Sequence, residues 1–261
     1  MSEPRPPQFR DGDAYERMCG QWSQVAGEIF LDWLAPKAGL SWLDVGCGNG
    51  AFTEVLLRRC APSLIHAVDP SEGLLSTARQ RLKDKRVEIQ QGSAEALPYD
   101  DDAVDAATMA LVINFVPEPD RAVSEMARVV KSGGCVSTYI WDMTNGGFTM
   151  EPVREALKQM GISSSMPGAE VTRMENLRGA WERAGLIEID TTRIDIRLTF
   201  EDFEDFWDSN MGIPNSVSNI VKKLSLPDVE TLKGLLRKIL PVDQRGRISY
   251  GAHVNAVKGL A

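Results

Sequence analysis

Two periods of apolar residues run along this chain, and the changes between them mark out its elements. From Asp13 to Leu34 the residues Tyr15, Met18, Trp22, Val25, Ile29 and Trp33 recur three and four apart, the spacing of one helical face. Asp13 is the expected N-cap. Pro36 and Gly39 stop that helix, and Trp42-Leu43-Asp44-Val45 reads as a short buried strand running into a Gly-rich turn. Strand and helix then alternate. Helices are predicted over Ala51–Arg59, Glu72–Leu82 and Pro119–Lys131, and strands over Leu64–Asp69, Val87–Gln90, Val104–Ala110 and Cys135–Trp141. Ala122, Val123, Met126, Val129 and Val130 form the stripe of the third of these helices, closed by Gly133-Gly134. Strands separated by helices predict a parallel, doubly wound α/β sheet of Rossmann-like type.

The second half changes rhythm. Ile187–Leu198 alternates apolar with polar residues, and Arg247–Val257 is a second strand-like run, so a sheet of about seven strands is expected, with at least one of the last two antiparallel. Between them Phe203, Phe206, Trp207 and Met211 precede a helix whose inward residues are expected to be Val229, Leu232, Leu235, Leu236 and Ile239. This organisation divides the chain into an N-terminal helical cap (1–40), a ligand-binding core (41–142), and the remaining strands with helical lid insertions at 143–170 and 200–245 (143–261).

The sharpest chemical signal is Leu43-Asp44-Val45-Gly46-Cys47-Gly48-Asn49-Gly50, a strand entering three alternate glycines and then a helix. Absent side chains let a ligand approach the backbone, and a helix N-terminus offers N–H groups. Asp69 closes the next strand 19 residues after Gly50, where an acid can accept from the two hydroxyls of a ribose. A nucleoside-bearing cofactor is implied. Gly46, Gly48 and Ala51 also satisfy the dinucleotide pattern, so the glycines alone leave its kind open. Asp44 favours a cationic ligand, because a pyrophosphate beside it meets repulsion whereas a sulfonium or ammonium is attracted.

The stretch resembles motif I of the class I S-adenosylmethionine-dependent methyltransferases, in the group similar to the ubiquinone and menaquinone biosynthesis methylases. The resemblance extends through Ala67–Ser71, Gly92–Pro98, Asp105–Asn114 and Glu125–Gly134. It implies S-adenosylmethionine as cofactor and S-adenosylhomocysteine as product. Asp44 and the backbone of Gly46, Cys47, Gly48, Asn49 and Gly50 would hold the methionine part. Asp69, with Pro70 and Ser71, would hold the ribose, and Ser93, Ala94 and Glu95 would lie at the adenine. The group often has Asp where this chain has Ser93, so Glu95 or a carbonyl would have to accept from the adenine amino group. Met109 and Leu111 would lie near the reactive methyl, although plain strand core describes them equally well.

Methyl transfer needs donor and acceptor held in line with water excluded, and no covalent nucleophile. Tyr15 and Trp22 on the first helix, Asn114 after the fourth strand and Asp142 after the fifth are expected to face the crevice beyond the strand ends. Trp22 is expected to close over the cofactor with Tyr15 and Met18. Asp142 is the preferred base, with Tyr15 and Asn114 beside it, and a turn cap is the competing role for Asp142. His66 and His253 read as structural histidines. The apolar content of the lid segments suggests a small, partly apolar acceptor such as a quinone, polyketide, lipid-like or aromatic metabolite.

Charge and composition narrow the rest. A formal charge of −8 works against a nucleic-acid backbone, and Arg79, Arg81, Lys83, Lys85 and Arg86 read as a solvated helix end. A nucleic-acid methylase is therefore the more distant alternative. A nicotinamide-dependent oxidoreductase and a cofactor-binding protein without catalysis also stay open. The N-terminus carries no signal-like apolar stretch and no segment is long enough to span a bilayer, so a cytoplasmic protein is expected. Cys19, Cys47, Cys60 and Cys135 lack metal-ligand spacing, so no metal is expected. Monomer and dimer are equally compatible with the pattern.

Overall fold

The computed structural model describes residues 21–212 and 215–261. Within them run α1 (Gln21–Leu34), β1 (Ser41–Val45), α2 (Ala51–Cys60), β2 (Leu64–Asp69), α3 (Glu72–Arg81), β3 (Val87–Gln91), β4 (Val104–Ala110), α4 (Pro119–Val129) and β5 (Val130–Trp141). There follow α5 (Glu151–Gln159), α6 (Met174–Arg183), β6 (Ile187–Phe200), α7 (Phe203–Met211), α8 (Ser216–Val221), α9 (Leu226–Ile239) and β7 (Ile248–Leu260). All seven strands join one sheet in the order β3-β2-β1-β4-β5-β7-β6. The first five are mutually parallel, and β7 runs antiparallel to both neighbours.

Sequence order reverses between β1 and β4, so the connections leaving their carboxyl ends diverge to opposite faces and open a crevice there. One face is covered by α1 and α2, through Ala26, Phe30, Leu34, Phe52 and Val55, with α3 packing beside them through Leu75. The other face is covered by α4 and α6, through Val123, Met126, Leu177 and Trp181. The Trp181 indole N–H donates to the carbonyl of Val136 at 3.0 Å, which satisfies a polar atom inside that core. Gly134 lies where β5 passes β4. An added Cβ would stand 2.5 Å from the Asp105 carbonyl, and the register slips between Val104 and Ala106.

The segments predicted as lid insertions are helical and form a layer over the β5-β7-β6 end of the sheet. Val153 and Leu157 of α5 meet Leu232 and Leu236 of α9 in the same apolar cluster as Ile196 and Phe200. Leu232 and Leu236 are buried as expected, Val229 and Leu235 only half so, and Ile239 is exposed, because this helix turns a narrow two-residue seam inward.

The inward face of α1 differs from the sequence expectation. Val25 and Ile29 are exposed at 41% and 39%, whereas Ala26, Phe30, Leu31 and Leu34 are buried. This helix carries two apolar stripes of equal period, and the partner decides between them. Phe30 lies 4.7 Å from the Tyr139 ring, and Gly27 provides the notch that admits Phe52 and Tyr139. The predicted N-terminal half of this helix, including the Asp13 cap, lies outside the described residues.

A Cβ on Gly27 would stand 3.0 Å from both the Phe52 ring and the Tyr139 hydroxyl. Gly27→Val is therefore expected to lift α1 and destabilise the fold by about 1–3 kcal/mol, despite its better helix propensity. The check is a lowered urea midpoint with an unchanged denaturant slope.

Candidate functional site

A cavity of about 520 Å³ occupies the crevice at the β1 and β4 ends, a size suited to a drug-sized ligand. Its floor is the turn after β1. Gly46, Gly48 and Gly50 all have positive φ, at 75°, 55° and 81°. A Cβ at Gly46 would strike Val112 at 2.6 Å and one at Gly50 would strike Leu82 at 2.6 Å, whereas one at Gly48 would meet nothing within 4 Å. Two of these glycines let the chain pack against itself, and the third leaves open space beside the ligand crevice.

Most N–H groups of this turn are spent within the protein. Gly46 and Cys47 donate to the Val68 carbonyl at 2.7 and 3.0 Å, Gly50 to Cys47 at 2.9 Å, and Ala51 to Asn49 Oδ1 at 3.2 Å. Gly48 donates to Asp69 Oδ2 at 3.0 Å, and the other Asp69 oxygen takes the Ser71 N–H at 2.8 Å. A pyrophosphate needs such donors free, whereas five of the six N–H groups from Gly46 to Ala51 are taken and the carboxylates of Asp44 and Asp69 line the cavity beside them.

Asp44 is fully buried on the cavity wall. Its Oδ2 accepts the Thr53 hydroxyl at 2.6 Å, and Oδ1 has no partner among the described residues. Burial pushes its pKa up to about 7. The Thr53 hydrogen bond opposes that shift, and the negative Asp69 nearby adds to it. Asp69 is also raised by burial, against the pull of its two backbone donors. The Asn49 Nδ2 is buried without a partner, so two polar groups at this end of the cavity are unmatched. Cys47 also lines the cavity, with burial pushing its thiol well above the ordinary value.

Further along, Pro70, Ser71, Ser93, Ala94 and Glu95 line the cavity as expected. Glu95 Oε1 accepts the Glu118 N–H at 2.8 Å, and Ser93 Oγ accepts the Glu95 N–H at 3.3 Å, which fixes this wall. Leu111, Val112, Phe115, Val116 and Pro117 also line the cavity. Leu111 has φ 60°, a left-handed conformation that costs a non-glycine residue about 1 kcal/mol or more, and its N–H donates to Tyr139 at 2.9 Å. Met109 is not on this wall. The pleat turns it into the core beneath α4, so the strand-core role describes it.

The expected catalytic group does not assemble. Asp142 is buried away from the cavity, and its carboxylate accepts from the Thr144 hydroxyl at 2.9 Å, the Asn145 N–H at 2.9 Å and the Asn255 amide at 3.0 Å. His253 Nε2 lies 3.4 Å away. Burial raises the Asp142 pKa, but donors from Asn145, Thr144 and Asn255 overcome it and hold the group well below the usual carboxylate range. A carboxylate so engaged is a poor base, and the turn-cap role holds. Asn114 is buried beside the 3-10 turn Glu170–Thr172, with Gly168 packed against its carbonyl, and does not line the cavity. Trp22 stacks edge-on to Phe200 at 6.0 Å and borders a much smaller cavity instead. Tyr15 and Met18 lie outside the described residues.

Ser23, Gln24, Phe52 and Tyr139 line the cavity unforeseen. Tyr139 sits near the carboxyl end of β5, where the rule that ligands gather at strand ends applies to it as it does to Asp142. Ser23 and Gln24 follow from the turned face of α1. His66 pairs with Glu88 at 3.2 Å and stacks on Tyr99, and the basic residues Arg79, Arg81 and Arg86 pair with Glu72, Glu54 and Asp84. Among the described residues no helix is long and apolar enough to cross a membrane.

Comparison with known proteins follows the same lines. The sequence profile of a methyltransferase domain matches residues 43–138. The demethylmenaquinone methyltransferase of Clavibacter sepedonicus is 40% identical over 102 residues, 39% of this chain and 41% of that protein. The chain thus spans less than half the length of the curated relatives it matches. Haemonchus contortus phosphoethanolamine N-methyltransferase 2, solved with S-adenosyl-L-methionine, superposes with a TM-score of 0.59 at 20% identity, over 95% of this chain and 56% of that one. The cyclase SpnF superposes with a TM-score of 0.53 at 18% identity, over 99% and 88%. At these identities the structures establish the fold. Together with the turn after β1, the profile match makes residues 43–138 similar to a methyltransferase domain.

Proposed function

We propose that this protein is an S-adenosylmethionine-dependent methyltransferase acting on a small, partly apolar organic acceptor. The observation that carries the reading is Asp44: a buried carboxylate on the cavity wall with one oxygen unpartnered, beside a turn most of whose N–H groups are already paired. An unmatched buried carboxylate favours a cationic partner and disfavours a phosphate pair.

The cavity fits this cofactor group by group. Asp44 would take the ammonium of the methionine part, and the space over Gly48 would admit its chain. Each Asp69 oxygen has taken one hydrogen bond and keeps a lone pair for a ribose hydroxyl. Ser93, Ala94 and Glu95 would border the adenine. Bound S-adenosylmethionine supplies an electrophilic methyl group for in-line displacement. Phe52, Leu111, Val112 and Tyr139 would exclude water and fix the acceptor's approach, which is the larger part of what such a reaction asks of a protein. The strained Leu111 fits this role, since strain persists where the surrounding structure over-determines a side chain's direction.

S-Adenosylhomocysteine at a hundredfold excess over its Kd is expected to stabilise the protein by about 2.7 kcal/mol, which for a chain of this size raises Tm by roughly 5–10 °C. NAD is expected to leave Tm unchanged. A thermal-shift comparison reads both, and stabilisation by NAD alone overturns the proposal. Asp69→Ala removes the ribose acceptor and the anchor of Gly48, and is expected to weaken binding about tenfold or more by calorimetry.

The raised pKa of Asp44 gives a pH signature. Its folded value of about 7 exceeds the unfolded value near 4, so its protonation favours the fold below pH 4, and that contribution is lost as pH rises through 7. Asp44→Asn is therefore expected to raise the Tm of the ligand-free protein, with the gain growing from pH 5 to pH 8, while weakening S-adenosylhomocysteine binding. Wild-type affinity is expected to rise between pH 5.5 and 7.5 as the carboxylate ionises, and the variant's to stay flat (calorimetry across that range).

A further inference from the structure

We propose that Thr53 is a positioning residue for the cofactor's cationic end, its hydroxyl holding the Asp44 carboxylate by Oδ2 and so reserving Oδ1 for the ligand's ammonium; this rests on the methyl-transfer reading above. Thr53 is the third residue of α2, in the first turn after Gly50. It is fully buried and does not line the cavity, so it acts on a ligand only through Asp44. Its Oγ1 donates to Asp44 Oδ2 at 2.6 Å, the one side-chain hydrogen bond that this carboxylate receives among the described residues. A threonine in a helix commonly gives its hydroxyl to a carbonyl one turn back, and here the hydroxyl goes to Asp44 instead. The terminal torsion of an aspartate is broad, so a bond to one oxygen is what fixes where the other lies.

The charges around Asp44 give this donor its weight. The charged side chains lining the cavity among the described residues are Asp44, Asp69 and Glu95, all of them acidic. Cys47, on the turn, stays a neutral thiol because burial disfavours its thiolate. On the neighbouring strands Ala67 of β2 and Thr108 of β4 stand at the register of Asp44 and carry no charge. Burial and the negative Asp69 at the end of β2 both work against the ionised form of Asp44, and the Thr53 hydrogen bond works for it. Without the hydroxyl the carboxyl keeps its proton to higher pH, and a neutral carboxyl has little attraction for an ammonium.

The test uses the full chain, with S-adenosylhomocysteine titrated by calorimetry between pH 6 and pH 8.5 into wild type, Thr53→Val and Thr53→Ser. Thr53→Val keeps the shape and removes the donor. It is expected to bind about tenfold more weakly at pH 7, with the rise of affinity moved up by about one pH unit and the gap narrowing above pH 8. Thr53→Ser, which keeps the donor, is expected to follow the wild-type profile. A merely structural role gives a loss that is the same at every pH, and that result overturns the proposal, as does a Thr53→Val profile equal to that of wild type. In the ligand-free protein the Asp44 carboxyl carbon, assigned by its loss in Asp44→Asn, is followed by NMR across the same range, and its midpoint is expected about one pH unit higher in Thr53→Val. An unmoved midpoint overturns the proposal and leaves the methyl-transfer reading standing. Absence of S-adenosylhomocysteine binding by wild type brings down both, whatever the carboxyl titration shows. Should Thr53→Val not fold, Thr53→Ala carries the same readings.

Discussion

The site depends on one carboxylate bridging two loops. Asp69, at the end of β2, accepts the Gly48 N–H with one oxygen and the Ser71 N–H with the other, so the turn after β1 and the turn after β2 are held at a fixed separation. Without that bridge the glycine turn has many conformations open to it, because three of its residues carry no side chain to restrict them. The bridge also consumes donors that a phosphate group would otherwise use. Positioning and selectivity therefore arise from the same pair of hydrogen bonds.

Much of this was legible from residue order. The strands β1, β2 and β4 are short apolar runs, each followed by a helix with one apolar stripe, so period and length together identify them. The acids at positions 44 and 69 were legible for the same reason, since the end of a strand in a doubly wound sheet is a defined place. The last two strands were legible as well, because the alternation in Ile187–Phe200 is that of a strand with one face bare.

What escaped the sequence was set by partners distant along the chain. The face of α1 turned on a contact between Gly27 and Tyr139, which no local window contains. Asp142 lies at a strand end like Asp44 and Asp69, yet Asn255 and His253 come to it from a strand more than a hundred residues later and convert a candidate base into a clasp. Met109 and Leu111 fall on opposite sides of the distinction between core and wall because the chain turns at Leu111, whose left-handed backbone an apolar side chain gives no reason to expect. The apolar half of the cavity is in this sense a tertiary product, assembled from α1, β5 and the turn after β4.

The two buried carboxylates at the cavity have a bearing on how much of the protein a cell retains. Burial holds both above their ordinary pKa, so each is a cost to the folded chain near neutrality that a cationic ligand relieves. The ligand-free molecule is then the one that opens more often and meets proteases more often, and the saturated one is spared. On the proposed reading, occupancy of the cavity and stability of the fold are coupled through charge placement.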